Sequence, residues 1–483
     1  MDRIIVEKVN EVYLRLICEP GTGAEISDYF TFEVPGAKFM PAYRNRMWDG
    51  KIRLYNTLTR NLYVGLIHHL EQFCKERDYE IEIPKDLYPD EFSVKEAKEF
   101  LDSLSLPMKP RDYQVEAFIH AVRNKRSLLV SPTASGKSFI IYLLARWFGL
   151  KTLIVVPTTS LVHQMSSDFK EYGYTEDIHK ITSGVDKRSN TQFVISTWQS
   201  IYKMPKGWFE QFGVVIGDEA HLFKAKSLCS IMEKLVDVKY RFGFTGTLDG
   251  TLTNKLVLEG LFGKVRKIVT TSELIEQKHL ADFKIKCIIL KYSDESCQYL
   301  KKADYPSEMD FIVRNEARNK FIKNLCLSLE GNTLLLFQYV EKHGKILYEM
   351  IDNNNIPTYF VHGGVEGEER NQIREIIENK DKSIVIASYG VFSTGINIKN
   401  LHNIVFASPS KSTIRVLQSI GRGLRKSESK KRSVLYDIAD DLSWKSKKNH
   451  TINHFIERCK IYDSENFEYK IYTTRLKNDD KSI

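Results

Sequence analysis

The sequence predicts an α/β protein: two tandem domains, each built on a parallel sheet, preceded by a small N-terminal α/β domain. Three observations predict it. From about residue 106 onward, short apolar runs alternate with helix-length segments. Strands buried on both faces read as continuous apolar runs, and parallel strands need crossover helices to join them. The alternation occurs as two separate series. Before residue 90 the runs are shorter and broken by turns.

In chain order, residues 4–6 and 12–17 cluster or alternate apolar side chains as strands do. Residues 84–89 are polar and turn-prone, a linker. Residues 91–106 read as an amphipathic helix with Phe92, Ala97, Phe100, Leu101 and Leu104 on its apolar side. The first strand series comprises 127–130, 152–156, 193–196, 214–216 and 242–245. The second comprises 333–337, 359–361, 383–387, 404–407 and 434–438. The expected domains are therefore 1–90, 91–280 and 281–440. A helical extension, 441–483, follows with Lys445, Lys447 and Lys448 near its start and a frayed end at 477–483.

The 483 residues give room for about three domains, and 42% apolar content suffices for their cores. No apolar run reaches the ~18 residues that a membrane span needs, so no membrane partner is expected. The N-terminus lacks the long apolar region of a signal peptide. Seven cysteines, an odd number with no C-x-x-C spacing, argue against a disulfide framework and a structural zinc site. A reducing, cytoplasmic compartment is expected. The net charge of +9 suits a polyanionic partner but is modest for the length.

Ser131-Pro132-Thr133-Ala134-Ser135-Gly136-Lys137-Ser138 follows a strand and precedes an apolar helix, as a phosphate-binding P-loop must. Backbone N–H groups of Thr133, Ala134, Ser135 and Gly136 would cradle phosphates at the positive end of the helix dipole. Lys137 adds a charge at the β/γ-phosphates, and the Ser138 hydroxyl ligates Mg²⁺. Ser131 stands where the usual pattern has glycine. Some 80 residues on, Asp218-Glu219-Ala220-His221 follows an apolar strand, at the edge where open α/β sheets bind ligands. Asp218 is expected to hold Mg²⁺. Glu219 is expected to position and deprotonate the attacking water.

These residues, together, resemble superfamily 2 helicases with the DEAH lettering, whose fold is a tandem of RecA-like domains. By that resemblance Gln114 and Arg111, in Arg111-Asp112-Tyr113-Gln114, would lie at the adenine. Thr158 and Thr159, and then Thr197, would hold phosphates of a nucleic-acid strand. Thr245-Gly246-Thr247 would link hydrolysis to domain movement. Thr394-Gly395-Ile396-Asn397 is similar to the fifth motif, with Gly395 and Asn397 near the nucleotide, although many members carry Asp where Asn397 stands. Gln418-Ser419-Ile420-Gly421-Arg422-Gly423-Leu424-Arg425 fits the motif whose arginines, here Arg422 and Arg425, act as fingers on the γ-phosphate. Such a finger is worth about 10³–10⁵ in rate.

The strings 156–159, 206–213 and 387–396 bring the resemblance nearest to the UvsW-type recombination helicases of bacteriophages, and Trp48-Asp49-Gly50-Lys51-Ile52-Arg53-Leu54 is similar as well. The resemblance implies an ATP- and Mg²⁺-dependent enzyme, monomeric in solution, acting inside an infected host cell. Its substrate would be branched DNA: Holliday junctions, forks, D-loops and R-loops with their RNA hybrids. Duplex and single strands would also be bound. Lys38, Arg44, Arg46, Lys51, Arg53 and Arg60, interleaved with Phe39, Tyr43, Trp48 and Tyr55, make 38–60 the candidate N-terminal DNA contact. A DEAH-type RNA helicase shares the same motor, and the motifs bind sugar-phosphate, so they leave that choice open. A third reading, an ATP-gated scaffold, is disfavoured by the retention of Glu219, Arg422 and Arg425.

Overall fold

The computed structural model describes residues 3–248, 251–352, 354–394, 398, 400–408, 412, 416–417, 419–421, 424 and 432–477. The chain forms two compact units: Met1–Ser131 with Gly136–Ile268, and Pro132–Ser135 with Val269–Ile483.

The first unit opens with a small α/β module. Its strands are β1 (Arg3–Lys8), β2 (Tyr13–Ile17), β3 (Thr31–Glu33), β4 (Lys51–Arg53), β5 (Tyr55–Asn56), β6 (Asn61–Tyr63) and β7 (Glu80–Glu82). Five of them form a mixed sheet, ordered β5-β6-β2-β1-β7, and β3 pairs with β4 alone. In β2 the side chains of Leu14 and Leu16 are buried while Arg15 and Ile17 face out, the two-residue period of a sheet covered on one face. Phe30, Leu62, Leu70 and Phe73 complete this core.

A seven-stranded parallel sheet follows, made of β8 (Arg126–Val130), β9 (Thr152–Val156), β10 (Ile178–Ile181), β11 (Phe193–Thr197), β12 (Val214–Gly217), β13 (Tyr240–Thr245) and β14 (Val265–Lys267). Its order is β10-β11-β9-β12-β13-β8-β14. Strands β9, β11 and β12 are buried at every residue because helices cover both faces. Two apolar layers result, one around Phe118, Ile140 and Leu143, the other around Phe209, Ile231 and Phe262. This order puts the carboxyl ends of β8, β12 and β13 side by side. The module is joined to this sheet domain by Arg126, whose guanidinium meets Glu11 at 2.9 Å, and by the Tyr63 hydroxyl donating to Glu233 at 2.7 Å.

The second unit carries another parallel sheet of seven strands: β15 (Asp282–Lys291), β16 (Thr333–Phe337), β17 (Thr358–Val361), β18 (Ile384–Ser388), β19 (Asn403–Phe406), β20 (Arg432–Asp441) and β21 (Tyr469–Arg475), ordered β17-β18-β16-β19-β20-β15-β21. Two parallel-sheet units and a small N-terminal α/β module are the tandem RecA-like architecture the sequence predicts.

Strands β10, β14, β15 and β21 add to the runs read from the sequence, and the C-terminal segment differs from its reading. The segment 441–483 does hold a helix, His450–Ser464, but β21 then adds to the sheet edge, with Ile285 opposite Tyr469 and Lys291 opposite Arg475. Tyr, Ile and Thr suit a strand, yet most of β21 is exposed, so no buried face marks it in the sequence. The helix is held by buried charge. Arg458 meets Asp437 of β20 at 2.8 Å with both side chains almost wholly buried, and the Tyr462 hydroxyl donates to the same carboxylate at 2.8 Å. At the helix start, Glu308 accepts from the backbone N–H groups of His450 and Thr451 at 2.9 and 2.7 Å, a carboxylate placed where the helix dipole favours it. Among the described residues, no helix is long and apolar enough to cross a membrane. Of the segment read as frayed, only Lys477 is described.

Candidate active site

Loop 131–136 leaves β8 and feeds helix Lys137–Phe148, whose buried residues run from Phe139 to Ala145. Its left-handed residues are Ala134, at φ 67°, and Gly136, at φ 81°. Ser131 has no such requirement, so serine replaces the usual glycine without backbone strain. The Ser131 N–H donates to Thr245 O at 2.9 Å, and its carbonyl accepts from Lys137 Nζ at 3.2 Å. Glycine is required at 136 instead: a Cβ there would lie 2.4 Å from Gln114 Nε2.

Gln114 is therefore packed beneath the phosphate loop. It is buried, and its Oε1 accepts from the Arg111 N–H at 3.0 Å, closing the first turn of helix Asp112–Asn124. The Arg111 guanidinium donates to the Tyr113 hydroxyl at 2.7 Å. Ser138 shares a 2.8 Å hydrogen bond with the hydroxyl of Tyr172, which burial pushes up to about 12. Tyr172 was not singled out in the sequence. It sits at the end of helix Thr159–Glu171, and only the packing of that helix against Lys137–Phe148 brings it to Ser138.

Strand β12 ends at Gly217, where a Cβ would meet the rings of Phe223 and Phe262 at 2.7 and 2.9 Å. Asp218 follows, its N–H bonded to Val155 O at 2.9 Å. Glu219 takes a left-handed conformation, φ 50°, a strained turn of the kind that concentrates at functional sites. Burial, and then the neighbouring charge of Glu219, push the Asp218 carboxyl up to about 6, against the pull of Lys137. Asp218 Oδ1 is buried with no hydrogen-bond partner among the described residues. A buried carboxylate oxygen of this kind is an acceptor that suits a hard cation such as Mg²⁺.

His221 connects this corner to the next strand. Its Nδ1 lies 3.0 Å from Thr245 Oγ1 and 3.3 Å from Glu219 Oε2. The Thr245 hydroxyl also lies 2.9 Å from Thr247 O, so it bridges His221 and Thr247. Glu219 thus lies against His221, which hydrogen-bonds to Thr245 and through it reaches Thr247 at the end of β13.

The residues read as strand-holding lie along the same sheet edge. The Thr158 hydroxyl accepts from Leu161 N–H at 3.4 Å as the cap of helix Thr159–Glu171, and Thr159 is exposed in its first turn. Thr197 ends β11 and shares a 2.9 Å bond with Ser200. Gln199 Nε2 reaches Pro157 O at 3.4 Å, tying the two loops together. In the N-terminal module, Arg44, Arg46, Lys51 and Arg53 are all exposed. Lys38, Tyr43, Arg44, Arg46 and Trp48 line an open cleft of about 680 Å³. Asp49 pairs with Arg53 at 2.5 Å, and that guanidinium holds the Asp49 carboxyl below its ordinary value. Of the interleaved aromatics, Phe39 is exposed while Tyr55 is core. Gly395, Asn397, Gln418, Arg422 and Arg425 lie outside the described residues.

Comparison with known proteins identifies the family. Residues 6–84 match the family model "DNA helicase UvsW, N-terminal", 107–250 match "Type III restriction enzyme, res subunit", and 316–427 match "Helicase conserved C-terminal domain". The chain is 38% identical to the ATP-dependent DNA helicase UvsW of Enterobacteria phage T4, covering 96% of this chain and 98% of that one. The crystal structure of T4 UvsW aligns over 99% of this chain and 100% of that chain, at 35% identity and a TM-score of 0.52. An HsdR fragment of a type I restriction enzyme from Vibrio vulnificus shares the fold, with a TM-score of 0.58 at 18% identity over 84% of this chain and 74% of that one. The chain belongs to the UvsW family of ATP-dependent helicases.

Proposed function

We propose that this helicase acts on DNA and remodels branched forms of it, such as Holliday junctions, forks, D-loops and R-loops, in phage recombination, replication and repair within the infected cell. The observation that carries the reading is the line from Glu219 through His221 to Thr245 and Thr247 at the edge that also carries Lys137 and Ser138. It gives the nucleotide corner a physical connection to the adjoining strand end, which a simple nucleotide-binding scaffold does not need. The UvsW-type N-terminal module, with its exposed arginines, supports DNA as the partner.

In this reading Lys137 and the loop amides bind the phosphates. Ser138 and Asp218 would hold Mg²⁺, which when bound would supply positive charge to the phosphates. Glu219 orients the attacking water and takes its proton. Arg422 and Arg425 act as arginine fingers, and Gly395 and Asn397 lie at the nucleotide. Gln114 positions the phosphate loop and, with Arg111, borders the adenine. Thr158, Thr159 and Thr197 hold one strand's phosphates. Residues 1–90 form the DNA-binding domain, 91–280 and 281–440 the two halves of the motor, and the enzyme works as a monomer.

Steady-state ATP hydrolysis tests the proposal, measured without nucleic acid and with single-stranded DNA, duplex, a four-way junction and RNA, with Lys137→Ala as the blank. Stimulation greatest with the four-way junction is expected. Stimulation by RNA alone would replace the DNA reading with an RNA helicase. No stimulation by any of them would overturn the remodelling role.

A further inference from the structure

The N-terminal module meets the first parallel-sheet domain at a cluster that nucleotide chemistry does not use. His68 and His69, near the start of helix Ile67–Arg77, both face one carboxylate, Glu259 of helix Leu252–Phe262. His69 Nε2 lies 2.8 Å from Glu259 Oε2, and His68 Nε2 lies 3.6 Å from Oε1. The two imidazoles lie against each other at a tilt of 40°, centroids 4.1 Å apart. All three donor atoms fall within 4.8 Å of one another.

The Glu259 side chain is 2% exposed, and besides the imidazoles it accepts from Val265 N–H at 3.0 Å. Burial resists its charge, but the imidazoles and that amide hold the carboxyl well below its ordinary range. It is thus an anion fixed in the interior, aimed at two neutral-capable nitrogen donors. The histidine side chains keep 19% and 22% exposure, so solvent reaches the outer side of the cluster. The backbones are pressed together here. A Cβ at Gly65 would lie 2.0 Å from Glu259 O, so the histidines are held against the carboxylate by the main chain.

We propose that His68, His69 and Glu259 form a zinc-type transition-metal site that clamps the N-terminal module onto the first parallel-sheet domain. Two imidazoles and a carboxylate are a ligand set zinc takes, with water in the fourth place. Tetrahedral bonds of about 2.0–2.2 Å need donors roughly 3.3–3.6 Å apart. His68 Nε2 stands at 3.6 Å from Oε1, while His69 Nε2, at 2.8 Å from Oε2, must draw back to admit the ion. Mg²⁺ is a poor fit, since it prefers six oxygen ligands. The cysteine spacing that argued against structural zinc carries no information on such a site, because no thiolate takes part. Metal uptake requires neutral imidazoles, so it weakens as the pH falls.

The test uses the full-length protein, stripped with a chelator and titrated with Zn²⁺ and with Co²⁺ as a spectroscopic probe. The wild type is expected to take up one more equivalent than His68→Gln/His69→Gln, to show the visible absorption of tetrahedral Co²⁺, and to melt higher with Zn²⁺ present. Glu259→Gln should bind at least about tenfold more weakly, the loss that even outer-shell partners of metal ligands produce. Both variants should keep basal ATP hydrolysis, which reports that the fold is intact. If the double variant fails to fold, the absorption and melting shift of the wild type decide alone. Equal uptake by wild type and variants, or no tetrahedral absorption, would overturn the metal site and reduce the cluster to hydrogen-bonded docking.

Discussion

Glu219 is held in a left-handed turn beside a buried aspartate, and this pair sets what single substitutions should do. Glu219→Gln keeps the shape and removes the base. ATP binding should persist while turnover falls by about 10²–10⁴-fold, read by single-turnover hydrolysis. A turnover near wild type would remove Glu219 from that role. The pH response follows from Asp218, whose carboxyl is raised to about 6. A raised carboxyl favours the folded state while protonated, so that stabilisation is lost as pH rises from about 4 through 6. Holding a cation needs the ionised form. The KM for ATP with Mg²⁺ should therefore increase as pH falls through about 6, and Asp218→Asn should flatten that profile. Much of this corner is legible in sequence because Gly136-Lys137-Ser138 and Asp218-Glu219 are local strings on strand ends. Tyr172 and the burial of Gln114 are not, because each depends on which helix packs beside the loop.

Whole elements are held by a few buried charges. Helix His450–Ser464 is pinned by Arg458 to Asp437, and removing the arginine leaves a buried carboxylate without its cation, still bonded by the Tyr462 hydroxyl. Arg458→Met should cost about 3–5 kcal/mol, measured as the shift in denaturant midpoint of the second unit. A loss under about 1 kcal/mol would mean that the pair is solvated. In the N-terminal module, the segment around β4 presents Arg44, Arg46 and Lys51 to solvent. Reversing all three charges should reduce the salt slope of duplex DNA binding by about 2–3, one phosphate contact per residue. An unchanged slope would place the DNA elsewhere. Periodicity exposes the buried strands of both sheets, yet it is silent on β21, where neither face is covered.

At the scale of the molecule, the two strand series already showed two parallel-sheet units, because a strand buried on both faces is written in the sequence as an apolar run. The junction of the N-terminal module with the first sheet domain was hidden. Glu11 with Arg126, Tyr63 with Glu233, and His68 and His69 with Glu259 are joined across about 115, 170 and 190 residues, and no local pattern records such pairs. The proposed remodelling of DNA would likewise be a property of the whole chain, so comparing substrates in ATP hydrolysis is the test that addresses it.

The place of β21 beside β15 has a consequence for how the chain comes into being. Strand β15 is the first of its sheet to be synthesised, and both its neighbours, β20 and β21, come last. At bacterial rates of translation, about 10–40 s separate the emergence of residue 291 from that of residue 475. Until β20 emerges, the ten residues of β15, three of them isoleucine, have no strand partner on either side, and until β21 emerges one side stays unmatched. The first sheet is finished by residue 267, so the nascent chain carries one folded unit and one open template together. Slowed translation in the last third of the message should therefore lower soluble yield while leaving the first unit intact.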